Sequence, residues 1–115
     1  MDIETLRSIC LSFPGVTEEV KWGNDLCFCV GGKMFCVTSL EPPHQFSFKV
    51  TDNEFDELAE SEGFKPAPYL ARAKWVLATD SAKLSRKELK SHLQQSYEMI
   101  SAKIPKKQRK ELGLE

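Results

Sequence analysis

The chain has 115 residues, of which 41% are apolar and 29% are charged, and its formal net charge is −1. This composition is typical of one globular domain and excludes a disordered or fibrous protein. No apolar run approaches the roughly 20 residues of a membrane-spanning helix, and the acidic N-terminus lacks the basic-then-apolar pattern of a signal peptide. We therefore expect a single cytoplasmic domain over residues 1–115 with no membrane partner.

The first predicted element is a helix over residues 2–13. Its apolar residues recur at the spacing of one helical face: Ile3, Leu6, Ile9, Cys10 and Phe13. Asp2 can cap the N-terminus of this helix. Pro14-Gly15 ends it, because proline disfavours helix in the preceding residue and glycine allows the turn.

Two short apolar runs, at residues 26–30 and 34–38, predict a hairpin. Gly31-Gly32 between them can adopt the positive φ angles of a two-residue loop, which places Cys27 opposite Cys36. Strand alternation then separates two faces. The core face is expected to hold Leu26, Phe28, Val30, Phe35 and Val37. The outer face is expected to hold Cys27, Cys29, Met34 and Cys36.

A third strand is predicted at residues 45–50, where apolar and polar residues alternate. A capping box of Thr51 and Glu54 opens a second helix that ends at Gly63. One further short strand is expected near residues 64–67.

The last predicted strand covers residues 74–79, and a capping box of Ser85 and Glu88 opens the longest helix, which Pro105 ends. The order is then α-β(3)-α-β(2)-α. This order predicts an α+β domain, a two-layer α/β sandwich with an antiparallel sheet and helices on one face.

Several short stretches follow one another along nearly the whole chain. They are Phe13-Pro14-Gly15 with Glu18-Glu19, the hairpin Val30-Gly31-Gly32-Lys33-Met34-Phe35, Phe48-Lys49, the stretch 66–76 (PAPYLARAKWV), and Ser96-Tyr97-Glu98 with Ile104-Pro105-Lys106-Lys107. In this order and spacing the chain resembles the MmcQ/YjbR family of small bacterial proteins. The resemblance implies a YjbR-like two-layer fold and DNA binding through a double-wing surface. Many relatives carry a lysine where this chain has Cys29, which leaves the outer face of the hairpin less basic here.

A basic surface is the main candidate for function. Residues 63–115 contain twelve Lys/Arg and five Asp/Glu, whereas residues 1–62 contain four and twelve. This split favours a face for an anionic partner or, alternatively, two halves that neutralise each other in the fold. The predicted nucleic-acid-binding residues are Lys49, Tyr69, Arg72, Lys74 and Trp75. The cations are expected to contact phosphate and the rings to stack or to support them, unless the rings pack in the core.

The four cysteines are Cys10, Cys27, Cys29 and Cys36, all in the first third of the chain. A disulfide framework would be spread through a loop-rich fold, so we expect reduced thiols. The outer-face thiols could act as soft ligands of a metal ion, but a flat strand cannot surround an ion as the turns of a zinc site do. We therefore predict packing residues and no metal site, with oxidation of a facing Cys27–Cys36 pair left open.

No catalytic constellation is recognisable. The chain has two histidines, His44 and His92, and lacks a Gly-rich phosphate loop, a His-Glu-x-x-His motif and a G-x-S-x-G motif. The acidic run over residues 52–62 is best interpreted as a solvated helix face. We predict no enzyme, no catalytic residue and no cofactor.

Two functions remain open from the sequence. The first is a non-enzymatic module that binds DNA weakly and in a salt-dependent manner through the basic surface. The alternative is a protein-interaction module that uses the outer sheet face. In either case we expect a monomer or a weak homodimer.

Overall fold

A computed structural model describes residues 2–80 and 84–114. Along the chain its elements are α1 (Ile3–Leu11), β1 (Val16–Lys21), β2 (Asp25–Val30), β3 (Lys33–Ser39), β4 (Phe46–Lys49), α2 (Asp52–Ala59), β5 (Phe64–Pro66), a 3-10 turn (Ala71–Ala73), β6 (Trp75–Ala78), α3 (Arg86–Ser101) and α4 (Lys106–Glu111). The strands form one antiparallel sheet in the order β1-β2-β3-β4-β6-β5. The predicted α+β class is therefore confirmed.

The core lies between the sheet and the helices. α1 and α3 bury Leu6, Ile9 and Leu93 against inward phenylalanines of the sheet such as Phe28 and Phe48. Burial of each such side chain stabilises the fold by about 1.5–3 kcal/mol, so this layer supplies most of the driving force for folding. By strand alternation, the side chains of Cys27, Ser47 and Leu77 lie on the opposite, outer face of the sheet.

Both predicted capping boxes are present. The Thr51 hydroxyl accepts a hydrogen bond from the Glu54 amide at 3.2 Å, and the Ser85 hydroxyl accepts one from the Glu88 amide at 3.1 Å. Each cap satisfies an amide that has no partner within the helix, an effect of about 1 kcal/mol.

Besides the 3-10 turn, the structure adds two elements to the predicted order. β1 was missed because Glu18 and Glu19 interrupt its apolar alternation. Charges are common on an edge strand, where they discourage pairing with another chain. Glu18 is held by Arg7 of α1, with 2.6 Å between guanidinium and carboxylate. The second addition, α4, lies in the charged tail after Pro105.

A bulge corrects the predicted hairpin register. Cys29 does pair with Met34, but Phe28 then pairs with Cys36 and Cys27 with Val37. An extra residue in one strand turns two successive side chains to the same side. Phe35 and Cys36 accordingly both enter the core cluster beneath the helices. The predictions that Cys36 lies outside, that Val37 lies inside, and that Cys27 faces Cys36 are therefore wrong.

Candidate functional site

The three predicted cations lie near one another at the end of β4 and the start of β6. Lys49 ends β4, Lys74 precedes β6, and Arg72 lies in the 3-10 turn between β5 and β6. The Lys49 ammonium donates a hydrogen bond to the carbonyl of Ala73. We call Lys49, Arg72 and Lys74 the basic edge.

The backbone holds these residues in place. The Val50 amide donates to the Lys74 carbonyl at 2.9 Å, and the Lys74 amide donates to the Ala71 carbonyl at 3.0 Å. Lys74 itself has φ +62°, a left-handed conformation that is uncommon outside glycine. Its ammonium lies 4.9 Å from the centre of the Phe55 ring, a cation–π distance.

Positive charge accumulates at the basic edge. The pKa of Lys49 is lowered, first by partial burial and then by the nearby charges of Lys103 and Lys74, while Asp52 acts in the opposite sense. Within residues 2–80 and 84–114, none of Lys49, Arg72 and Lys74 forms an ion pair. The turn after α3 thus brings a cation, Lys103, that sequence reasoning did not assign to this group.

The two predicted aromatic residues differ in accessibility. Tyr69 is fully exposed and has φ +67°. Trp75 is only 4% exposed, and its main chain is tied to the preceding loop through Ala67 and Leu70. Tyr69 is available for stacking. The Trp75 ring cannot stack on a base and can only support the surface.

A groove of about 810 Å³ crosses the outer face of the sheet. Met34 and Val37 of β3, Ser47 of β4 and Leu77 of β6 contribute to its lining. The groove is also lined by residues of three connecting segments: Trp22, Pro42, Pro43, Pro68, Tyr69 and Leu70. The bulge accounts for its apolar character in part, because it turns Val37 outward.

Trp22 is the most exposed large hydrophobic residue of this groove that sequence reasoning missed. It lies in the turn between β1 and β2, is 72% exposed, and has φ +54°. A left-handed conformation costs a non-glycine residue about 1–2 kcal/mol, and it is rare for a bulky one. The available signal was an aromatic residue inside the turn Trp22-Gly23-Asn24, where small or polar residues are usual.

The cysteines do not form a reactive site. All four thiols are free and buried. Burial raises the pKa of Cys29 to about 11 and also raises the pKa of Cys27, which disfavours the nucleophilic thiolate. Among the described residues no group of three or more His, Cys, Asp or Glu is arranged to hold a metal ion.

The histidines also have structural contacts. His92 packs its ring against Phe48 and Phe64, with centroid distances of 5.2 and 6.3 Å, and burial lowers its pKa. Nδ1 of His44 lies 2.8 Å from the carbonyl oxygen of Ser39, at hydrogen-bond distance. Neither ring has a nucleophilic side chain as a hydrogen-bond partner in the described part of the chain.

Two solved structures resemble this fold closely. A Deinococcus radiodurans protein, DR2400, with a DUF419 domain has a TM-score of 0.85 and 28% identity, and the match covers 96% of this chain and 87% of that one. A Pseudomonas syringae protein has a TM-score of 0.71 and 14% identity over 87% of this chain and 99% of its own, which supports the fold alone. No curated protein matches the chain.

The described residues contain no helix that is both long enough and apolar enough to cross a membrane.

The predicted family resemblance can be tested directly against the family model YjbR. That model matches residues 11–99, from the end of α1 into α3, and so includes the complete sheet. The chain therefore belongs to the YjbR family.

Proposed function

We propose that this chain is a non-enzymatic cytoplasmic module that binds DNA through the basic edge. The observation that carries the proposal is the convergence of Lys49, Arg72 and Lys74 without ion-pair partners among the described residues. Each cation that neutralises a phosphate releases condensed counterions, which drives association at low salt. The exposed ring of Tyr69, three residues before Arg72, adds a surface on which a base can stack.

The expected binding is weak and dependent on salt. Three phosphate contacts give a slope of log K against log salt of about −3, which is much shallower than the slope of large DNA-binding proteins. The net charge of −1 also keeps the long-range attraction small. We propose that the protein binds DNA as a monomer or a weak homodimer. With so low an affinity, binding requires a high local concentration of DNA.

The test is fluorescence anisotropy of labelled duplex and single-stranded DNA, titrated with protein at about 50 and 150 mM salt. The double variant Arg72→Ala/Lys74→Ala should bind more weakly, and its salt slope should fall by about one for each cation removed. Lys87→Ala/Lys90→Ala is the matched control, because it removes the same charge from exposed positions at the start of α3. Equal losses in both variants, or no binding by the wild type at low salt, would contradict the proposal.

A second candidate is a protein-interaction module that uses the outer sheet face. The groove supports it, because its volume of about 810 Å³ lies within the range of about 300–1,000 Å³ that is usual for binding clefts. The two candidates differ in the steepness of their salt dependence, since a contact in the groove releases no phosphate counterions.

A further inference from the structure

We propose that the outer-face groove binds an extended peptide segment that carries a lysine or arginine. This inference deepens the second candidate and rests on the outer face being an interaction surface. The groove contains residues of β2, β3, β4 and β6, among them Asp25, Val37, Ser47 and Leu77. It therefore runs across the strands.

The dimensions of the groove fit a short segment. β2 and β6 are separated by three strand spacings, or about 14 Å. An extended chain covers this distance with about four residues at roughly 3.3 Å each. The lining offers an apolar floor at Met34 and Leu77 and polar side chains at Gln45 and Ser47. Such a surface can hold apolar side chains and still pair with the main chain of a peptide.

The charge of the lining selects the occupant. Two carboxylates, Asp25 and Glu41, line the groove, and no lysine or arginine of the described residues does so. Lys21 pairs with Asp25 in the strand register, but its ammonium lies 3.6 Å from Glu19. A cation is therefore attracted to this end of the groove, whereas a nucleic acid phosphate is repelled.

Trp22 adds a second reason for a cation. Its ring is exposed in the turn directly before β2, three residues from Asp25 in the chain, and tryptophan is the side chain that binds cations best through its ring face. Trp22 and Tyr69 have left-handed backbones, and both line the groove. Strained conformations of this kind are concentrated at binding sites. Together these features specify a guanidinium or ammonium group at the β2 end and an apolar or proline-containing stretch towards Leu77.

The test is selection of a random heptapeptide library, displayed on phage, against the immobilised full chain. Enriched sequences are then made as acetylated, amidated peptides, each with a partner in which citrulline or norleucine replaces the cationic residue. We expect enrichment of Arg or Lys next to apolar residues, and a loss of about ten-fold in affinity for the neutral partner peptide. Binding should also change the fluorescence of exposed Trp22, against the constant background of buried Trp75.

Two variants test the site itself. Trp22→Ala and Asp25→Asn/Glu41→Gln should each weaken the selected peptides by about ten-fold. Asp56→Asn/Glu57→Gln, which makes the same charge change at exposed positions of α2, should leave the affinity unchanged. Arg72→Ala/Lys74→Ala should also bind peptide normally, so that failure of DNA binding and failure of peptide binding are separate results.

Several results would overturn the inference. One is an absence of enriched peptides, and another is selection of peptides that lack Lys and Arg. A third is unchanged affinity in both Trp22→Ala and Asp25→Asn/Glu41→Gln. Binding of arginine amide as tightly as the peptide would assign the groove to small organic cations instead. Loss of DNA binding in Trp22→Ala would place the groove within a nucleic-acid surface.

Discussion

The hydroxyl of Ser96 accepts a hydrogen bond from the backbone amide of Lys49 at 3.0 Å. The same hydroxyl donates to the carbonyl of Phe35 at 2.7 Å. One buried side chain of α3 thereby fixes the bulge of β3 and the end of β4, where the basic edge begins. The position of Lys49 depends on this contact.

Ser96→Ala should destabilise the protein by about 1–3 kcal/mol, because it leaves a partly buried amide and a buried carbonyl without their partner. Urea unfolding followed by circular dichroism measures the change in the free energy of unfolding. Ser91→Ala is the matched control, since it makes the same substitution at an exposed position of the same helix. A loss below about 0.5 kcal/mol in Ser96→Ala would show that water replaces the hydroxyl at this site.

Local chemistry explains which elements could be predicted. The capping boxes at Thr51 and Ser85 were found because a side chain and an amide three residues apart determine them. The bulge after Phe28 could not be predicted, because the alternation of apolar and polar residues does not show where an extra residue is inserted. Tertiary packing selects that position. For the same reason the predicted position of Cys36 on the outer face was wrong, and Cys36 lies in the core.

Of the two candidate binding surfaces, the basic edge could be predicted from the sequence and the groove could not. Lys49, Arg72 and Lys74 could be grouped because they lie at or beside the ends of predicted strands. The groove could not be predicted, because it depends on Trp22, Pro42 and Tyr69, which belong to three loops far apart in the chain. Loop positions follow from long-range contacts, and composition alone gives little information about them.

The hairpin glycines offer a second prediction. A Cβ on Gly31 would lie 2.6 Å from Cδ1 of Ile104, whereas a Cβ on Gly32 would meet nothing within 4 Å. Both residues have positive φ, +58° and +79°, so alanine is strained at either position. Gly32→Ala should cost about 1–2 kcal/mol from this strain alone.

Gly31→Ala should cost about 1–3 kcal/mol more than Gly32→Ala, because Ile104 must move within a packed core. Thermal unfolding of the two variants under identical conditions measures the difference. Equal midpoints would mean that Ile104 adopts another rotamer at no cost and that the close contact has no energetic effect.

Thiol reactivity provides a third prediction. Because burial raises the pKa of Cys29 to about 11, little thiolate exists at pH 8. The other three thiols are also buried. Ellman's reagent should therefore react slowly with the native protein and rapidly with all four thiols in 6 M urea. Rapid reaction of one equivalent in the native state would identify an accessible cysteine and contradict this packing.

The last prediction concerns His92 and pH. Burial lowers its pKa below 6.5, while the nearby charges of Glu54 and Glu88 oppose the shift without cancelling it. The unfolded chain therefore binds more protons than the folded chain between the two pKa values, and stability rises with pH across that window. The contribution of neutral His92 to the free energy of unfolding is complete above pH 6.5 and is lost as the pH falls through the folded-state pKa of His92.

His92→Phe should remove this part of the pH dependence, because phenylalanine keeps the ring contacts with Phe48 and Phe64 and cannot titrate. Urea unfolding at pH 7.5, 6.5, 5.5 and 5.0 measures the effect, with the wild type losing stability towards pH 5 more steeply than the variant. Parallel curves for the two proteins would mean that His92 titrates equally in the folded and unfolded states. The carboxylates would then account for the whole acid dependence.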